Sequence, residues 1–176
     1  MQLQLQLLLA ILLIATTWST ATAQQDKAKR PSPPASIEGT IDGLGVAIRY
    51  SQPATKGRTI WGDLVPYGKV WRTGANEATT FEVDQDVLIE GEPLPAGRYA
   101  LFSIPGKEAW TFIFNKVADQ WGAYNYDPKQ DALRVTTKPE AADEFAERLM
   151  FYLGHNGRVR LHWAYLSVGF RVEKMD

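Results

Sequence analysis

The chain has 176 residues, 19 Lys and Arg against 20 Asp and Glu, a formal net charge of −1, and no cysteine. Near-neutrality leaves no broad basic footprint, which argues against nucleic acid or anionic lipid as the main partner. The absence of cysteine rules out a disulfide framework, a thiol nucleophile and a lipid-modified cysteine.

The chain opens on the apolar segment M-Q-L-Q-L-Q-L-L-L-A-I-L-L-I-A, Met1 to Ala15, followed by Ser19-Thr20-Ala21-Thr22-Ala23-Gln24. This pattern predicts a secretory signal over residues 1–23, with Ala21-Thr22-Ala23 as the small-x-small cleavage site, although the usual basic residues before the apolar run are missing. The expectation is an exported protein, periplasmic or extracellular, of about 150 residues after cleavage, which suffices for one hydrophobic core. No later segment offers the roughly 20 apolar residues of a membrane span. Residues 24–36 carry Lys27, Lys29, Arg30, Pro31, Pro33 and Pro34, a composition that predicts a flexible lead-in. The remainder, residues 37–176, is expected to form one domain.

From Ile37 onward the pattern alternates with period two. Ile37, Gly39 and Ile41 face away from Glu38, Thr40 and Asp42; Val46, Ile48 and Tyr50 face away from Ala47, Arg49 and Ser51; Asp42-Gly43 makes the turn between them. The same criterion predicts strands near residues 70–73, 79–83, 87–90, 98–104, 110–116, 133–137 and 149–153. It also predicts two clear terminal strands, around 158–165 and 168–173, preceded by an Asn156-Gly157 turn. Only Glu140 to Glu147 has helix-forming composition, enough for a turn or two. Short strands with close glycine and proline turns predict an all-β protein. The expected architecture is an antiparallel β-sandwich, jelly-roll or immunoglobulin-like, with a partly open β-barrel as the alternative.

Two stretches concentrate chemistry. The first is P-Y-G-K-V-W-R-T-G-A-N-E-A-T-T-F, Pro66 to Phe81. Gly74 and Asn76 tolerate left-handed backbone, so the loop can present N–H groups beside Arg72 and Glu77 to an anionic or polyhydroxyl ligand. Between Ser51 and Asn76 the bases Lys56, Arg58, Lys69 and Arg72 outnumber the single acid Asp63. Arg58, Tyr67, Arg72, Asn76 and Glu77 are therefore candidate ligand-binding residues. The scaffold alternative has Arg72 and Glu77 paired with each other to brace the loop. The second stretch is Q-W-G-A-Y-N-Y-D, Gln120 to Asp127, in which Trp121, Tyr124 and Tyr126 either stack on a ligand or cap the open end of the core.

Several chemistries lack their signatures. His155 and His162 have no partners at ligand spacing, so no metal is expected, and an oxygen-rich calcium loop at Asn125, Asp127 and Asp131 lacks the established register. There is no Gly-x-Ser-x-Gly elbow and no phosphate-binding glycine loop, so no cofactor is expected. Glu77 is the weak catalytic candidate, as general acid or base, and lacks an identifiable second carboxylate.

The runs K-G-R-T-I-W-G-D-L-V-P-Y-G-K-V-W-R-T-G-A-N-E-A-T-T-F, G-E-P-L-P-A-G-R-Y-A-L-F-S-I-P-G, W-T-F-I-F-N-K and Q-W-G-A-Y-N-Y closely resemble the secreted bacterial family known as domain of unknown function 2911, from about Ser32 to the end. The resemblance implies export, typically by Bacteroidota and related bacteria, and brings no reaction with it. Three readings follow: a module binding a small polar, anionic or carbohydrate-like ligand; a hydrolase using Glu77; and a structural or protein-interaction domain of the cell envelope, with a small molecule or an envelope protein as partner.

Overall fold

The computed structural model describes residues 26–154 and 156–175; the predicted signal segment, Gln24 and His155 lie outside them. Ten strands form two antiparallel sheets. Strands β1 (Pro34–Ile41), β2 (Leu44–Ser51), β3 (Thr80–Val83), β6 (Gly97–Ile104), β7 (Trp110–Asn115) and β8 (Asp131–Thr137) make a six-stranded sheet in the order β1-β2-β3-β6-β7-β8. Strands β4 (Val87–Ile89), β5 (Glu92–Leu94), β9 (Glu140–Leu153) and β10 (Arg158–Lys174) make a second sheet in the order β5-β4-β10-β9. Neither sheet closes on itself, so the fold is a β-sandwich and not the partly open barrel.

Alternation decides which side of each strand is wet. Val46, Ile48 and Tyr50 of β2, Phe81 and Val83 of β3, and Phe112 and Phe114 of β7 meet Val159, Leu161, Trp163, Phe170 and Val172 of β10 in one core. The Phe170 ring sits 5.1–5.5 Å from those of Phe81, Phe112 and Phe114. The loop after β2 caps one end, inserting Ile60 and Val65 into that core. The outer face of the six-stranded sheet is covered in part: Ala100, Phe102 and Ile113 are buried beneath Ala123 and Tyr126 of the loop between β7 and β8.

Three expectations change and one is refined. Glu140 to Glu147 is strand, because Ala146 and Ala141 pair with Ala164 and Leu166 of β10 and tertiary pairing overrides weak helix propensity. Val70 to Thr73 makes only an isolated bridge, Trp71 with Ser103, since Thr73 takes a positive φ of 53° and leaves the extended region. The two terminal strands are joined without a loop in one element, β10, whose two arms match the expected strands: it turns at Ala164, where φ is 53°, and the Val172 N–H donates back to the Gly157 carbonyl. Finally, β1 begins at Pro34, inside the predicted lead-in, and the residues before it dock on the sandwich.

Candidate functional site

The Trp71 to Thr80 segment is built from its own backbone contacts. The Trp71 N–H donates to the Ser103 carbonyl at 2.8 Å and Ser103 returns a bond at 2.9 Å. Thr79 Oγ1 donates to the Thr73 carbonyl at 2.8 Å, and Thr73 Oγ1 donates to Ser103 Oγ at 3.0 Å. Asn76 takes φ 58°, and its Nδ2 donates to the Ser32 carbonyl at 2.9 Å and to Ser51 Oγ at 3.2 Å. Asn76 is thus the pin that ties loop, lead-in and β2 together. The next residues pair with the second aromatic stretch: Ala78 N–H donates to Gln120 and Gly122 N–H to Asn76, which places Glu77 opposite Trp121.

Glu77 does not pair with Arg72. Its carboxylate receives Arg30 Nη1 at 2.9 and 3.0 Å, with Lys27 Nζ at 3.2 Å, so the lead-in supplies both cations. The Arg30 guanidinium also lies 5.8 Å from the centroid of Trp121, a ring that is 55 % exposed. Burial pushes the Glu77 pKa up, but its own backbone N–H and the contacts to Arg30 and Lys27 outweigh that and hold it below the usual glutamate range. A carboxylate depressed in the folded state stabilises the protein above its unfolded pKa, about 4.3, and that contribution disappears as pH falls through the folded value. We therefore expect the urea midpoint of the wild type to drop more steeply than that of Glu77→Gln as pH falls below about 4.3. Parallel curves would mean that the lead-in contacts do not form in solution.

Beside this corner lies an open cleft of about 600 Å³ on the outer face of the six-stranded sheet. Its floor is Arg49 and Ser51 from β2, Thr80 from β3 and Arg98 from β6; its walls are Ala118 to Trp121 on one side and Lys27 with Pro34 to Ser36 on the other. Arg49 is held by Glu38 at 3.0 Å and Glu82 at 2.9 Å, and Arg98 by both oxygens of Asp119 at 2.8 and 3.1 Å. The hydrogen bonds from Arg98, followed by its charge, hold the Asp119 carboxyl below its ordinary range.

Two buried polar atoms of residues that line the cleft have no protein partner. Thr80 is 5 % exposed and its Oγ1 makes no hydrogen bond. Gln120 Nε2 donates to Asn115 Oδ1 at 3.1 Å and to the Val117 carbonyl at 2.6 Å, which fixes the amide and leaves the buried Oε1 unpaired. The orientation of Asn115 is itself set, because its Nδ2 donates to the Asp127 carbonyl and to Asp131 Oδ1.

Of the residues singled out from sequence, Asn76, Glu77 and Trp121 come together. Arg72 is half-buried, has no ion pair among the described residues, and carries a buried Nε with no partner; burial pushes its pKa down, with nearby Tyr124 acting in the opposite direction. Tyr124 is 83 % exposed. Tyr126 packs on Phe102 at 5.0 Å and donates its hydroxyl to Asp131 at 2.7 Å; burial, then Asp131, push its pKa up to about 12. Arg58 braces its own loop through the Thr55 and Ala54 carbonyls, and Tyr67 packs against Gly62, both away from the cleft lining.

The calcium candidates are engaged elsewhere: Asp127 accepts from the Lys129 N–H and Asp131 from Tyr126 and Arg134. Among the described residues no group of three or more His, Cys, Asp or Glu could hold a metal. His162 Nε2 bonds the Glu144 carbonyl at 2.9 Å. Sequence reasoning missed Lys27, Arg30, Thr80, Asp119 and Gln120. Alternation places Thr80 on an outer face, but only the packing of the β7–β8 loop turns that face into a cleft.

A family model described as protein of unknown function (DUF2911) matches residues 32–172. No curated protein and no solved structure matches the chain.

Proposed function

The chain belongs to the DUF2911 family, and we propose that it is an exported binding module for a small polyhydroxyl ligand, carbohydrate-like in chemistry, seated in the cleft between Thr80 and Trp121. The observation that carries this reading is the unpaired Thr80 Oγ1, a buried atom of a residue that lines an open cleft. Leaving such an atom unsatisfied costs about 1–3 kcal/mol, which a ligand hydroxyl would recover once the Thr80 side chain turns it into the cleft. Gln120 Oε1 is a second acceptor awaiting a donor, and the exposed Trp121 ring offers a stacking face.

Glu77 and Asp119 both line the cleft, and both are held ionised by basic neighbours. Ionised carboxylates suit hydrogen bonds from ligand hydroxyls; a hydrolase acid would need a carboxyl that keeps its proton near neutral pH. Binding is therefore favoured over hydrolysis.

The test is calorimetric titration and thermal shift with mono- to tetrasaccharides, beside Trp121→Ala and Thr80→Val. A bound saccharide should raise the wild-type melting temperature by mass action, and Trp121→Ala should weaken binding about tenfold or more. Thr80→Val should bind more weakly yet be at least as stable as wild type, because it deletes an unpaired buried hydroxyl. If no saccharide binds, the reading fails and the envelope-interaction alternative takes its place.

A further inference from the structure

Glu77 and Trp121 form a corner that already holds a cation. Arg30 Nη1 bridges both oxygens of Glu77 at 2.9 and 3.0 Å while its guanidinium lies over Trp121 at 5.8 Å. A carboxylate beside an aromatic face is cation-recognition chemistry, combining charge-assisted hydrogen bonds with the negative face of the ring.

The occupant is loosely seated. A single guanidinium nitrogen reaches Glu77, not the two-nitrogen fork of a strong pair, and a second cation, Lys27, crowds the same carboxylate at 3.2 Å. The chain is pinned immediately after Arg30: Arg148 donates to the Pro31 carbonyl, Asn76 to Ser32, and the Gln52 N–H to Pro33. Lys27 and Arg30 themselves meet Glu77 by side chain alone. They can leave the corner without unpinning β1.

Resting on the reading of the cleft as a polyhydroxyl site, we infer that its ligand also carries a protonated amine or guanidinium, which takes the place of Arg30 between Glu77 and Trp121. The remaining cleft cations leave that corner as the seat for positive charge, since Arg49 is matched by Glu38 and Glu82 and Arg98 by Asp119. Such a ligand stacks its ring on Trp121, places its ammonium on Glu77 and directs hydroxyls to Thr80 Oγ1 and Gln120 Oε1. An amino sugar has this arrangement of groups.

Glucosamine disaccharide and its N-acetylated counterpart, titrated into the purified protein at pH 6, test the inference, because acetylation removes the charge and keeps the ring hydroxyls. The amine form should bind about tenfold tighter or more, the worth of one charge-assisted contact. That preference should vanish in Glu77→Gln and as pH rises through the amine's own pKa. Lys27→Ala/Arg30→Ala, checked for folding by circular dichroism, should bind the amine form more tightly than wild type does. Equal affinity for the two disaccharides would overturn the cationic ligand and leave the polyhydroxyl cleft standing. A preference for the amine that survives Glu77→Gln would overturn the assigned seat. Failure of both disaccharides to bind either wild type or the double variant would remove this inference, and failure of the wider neutral saccharide panel would then remove the cleft reading as well.

Discussion

Replacing Gly169 by alanine is expected to destabilise the protein by about 3 kcal/mol or more, lowering the melting temperature by about 10 °C or preventing folding. Strand β10 bends at Ala164, where φ is 53°, and its second half returns alongside its first, so that the Val172 N–H donates to the Gly157 carbonyl at 2.8 Å. Gly169 sits at the close approach. A Cβ there would run into the Val159 carbonyl oxygen and stand 2.9 Å from Arg160 Cα, both backbone atoms that cannot turn aside. Gly43 provides the contrast. Its φ of 83° strains any side chain, but nothing lies within 4 Å, so Gly43→Ala should cost only about 1 kcal/mol. Thermal melts of the two variants side by side check the ordering; a Gly169→Ala protein as stable as Gly43→Ala would mean that the ribbon does not fold back on itself.

Trp163→Ala should be comparably severe, about 3–5 kcal/mol. Trp163 is 1 % exposed, stacked on Trp71 at 6.1 Å and 16°, and meets the Trp61 ring edge to face at 5.7 Å. Trp61 in turn packs on Trp110 at 5.1 Å, so four indoles share one volume that no single neighbour can refill. Trp163→Phe should be much milder, about 1–2 kcal/mol, because the Trp163 indole N–H has no hydrogen-bond partner to lose. Urea unfolding separates the two, with near-ultraviolet circular dichroism reporting loss of the stacked pair. Equal losses for Ala and Phe would overturn the packing argument, because any indole N–H bond is lost in both variants alike.

The contrast between these residues and the cleft explains what was legible. Trp163 alternates with Arg160 and His162, and Phe170 with Gly169 and Arg171, and alternation alone assigns both inward. Gly169, on the other side of the second arm, looks like an ordinary polar-face position; the break between the two arms was legible, but not that they pack backbone to backbone at Gly169. Glu77 was visible as a candidate because of its glycine- and asparagine-rich loop. Its partners were not, since Lys27 and Arg30 lie 47 to 50 residues away in a stretch whose composition reads as a linker. Thr80 carried no signal at all, because a threonine on an outer strand face is ordinary until a loop from beyond β7 walls a cleft beside it.

The amino-acid sequence by itself determined the all-β class, the strand-facing pattern, most strand positions, and the two stretches from which Glu77 and Trp121 come, because those follow from periods and turn residues spanning fewer than about ten positions. Tertiary structure alone decided the sheet order, the strand state of Glu140 to Glu147, the pairing of Glu77 with Arg30 in place of Arg72, and the cleft itself. Each of these depends on groups brought together from distant parts of the chain, and their energies exist only once the two sheets have packed.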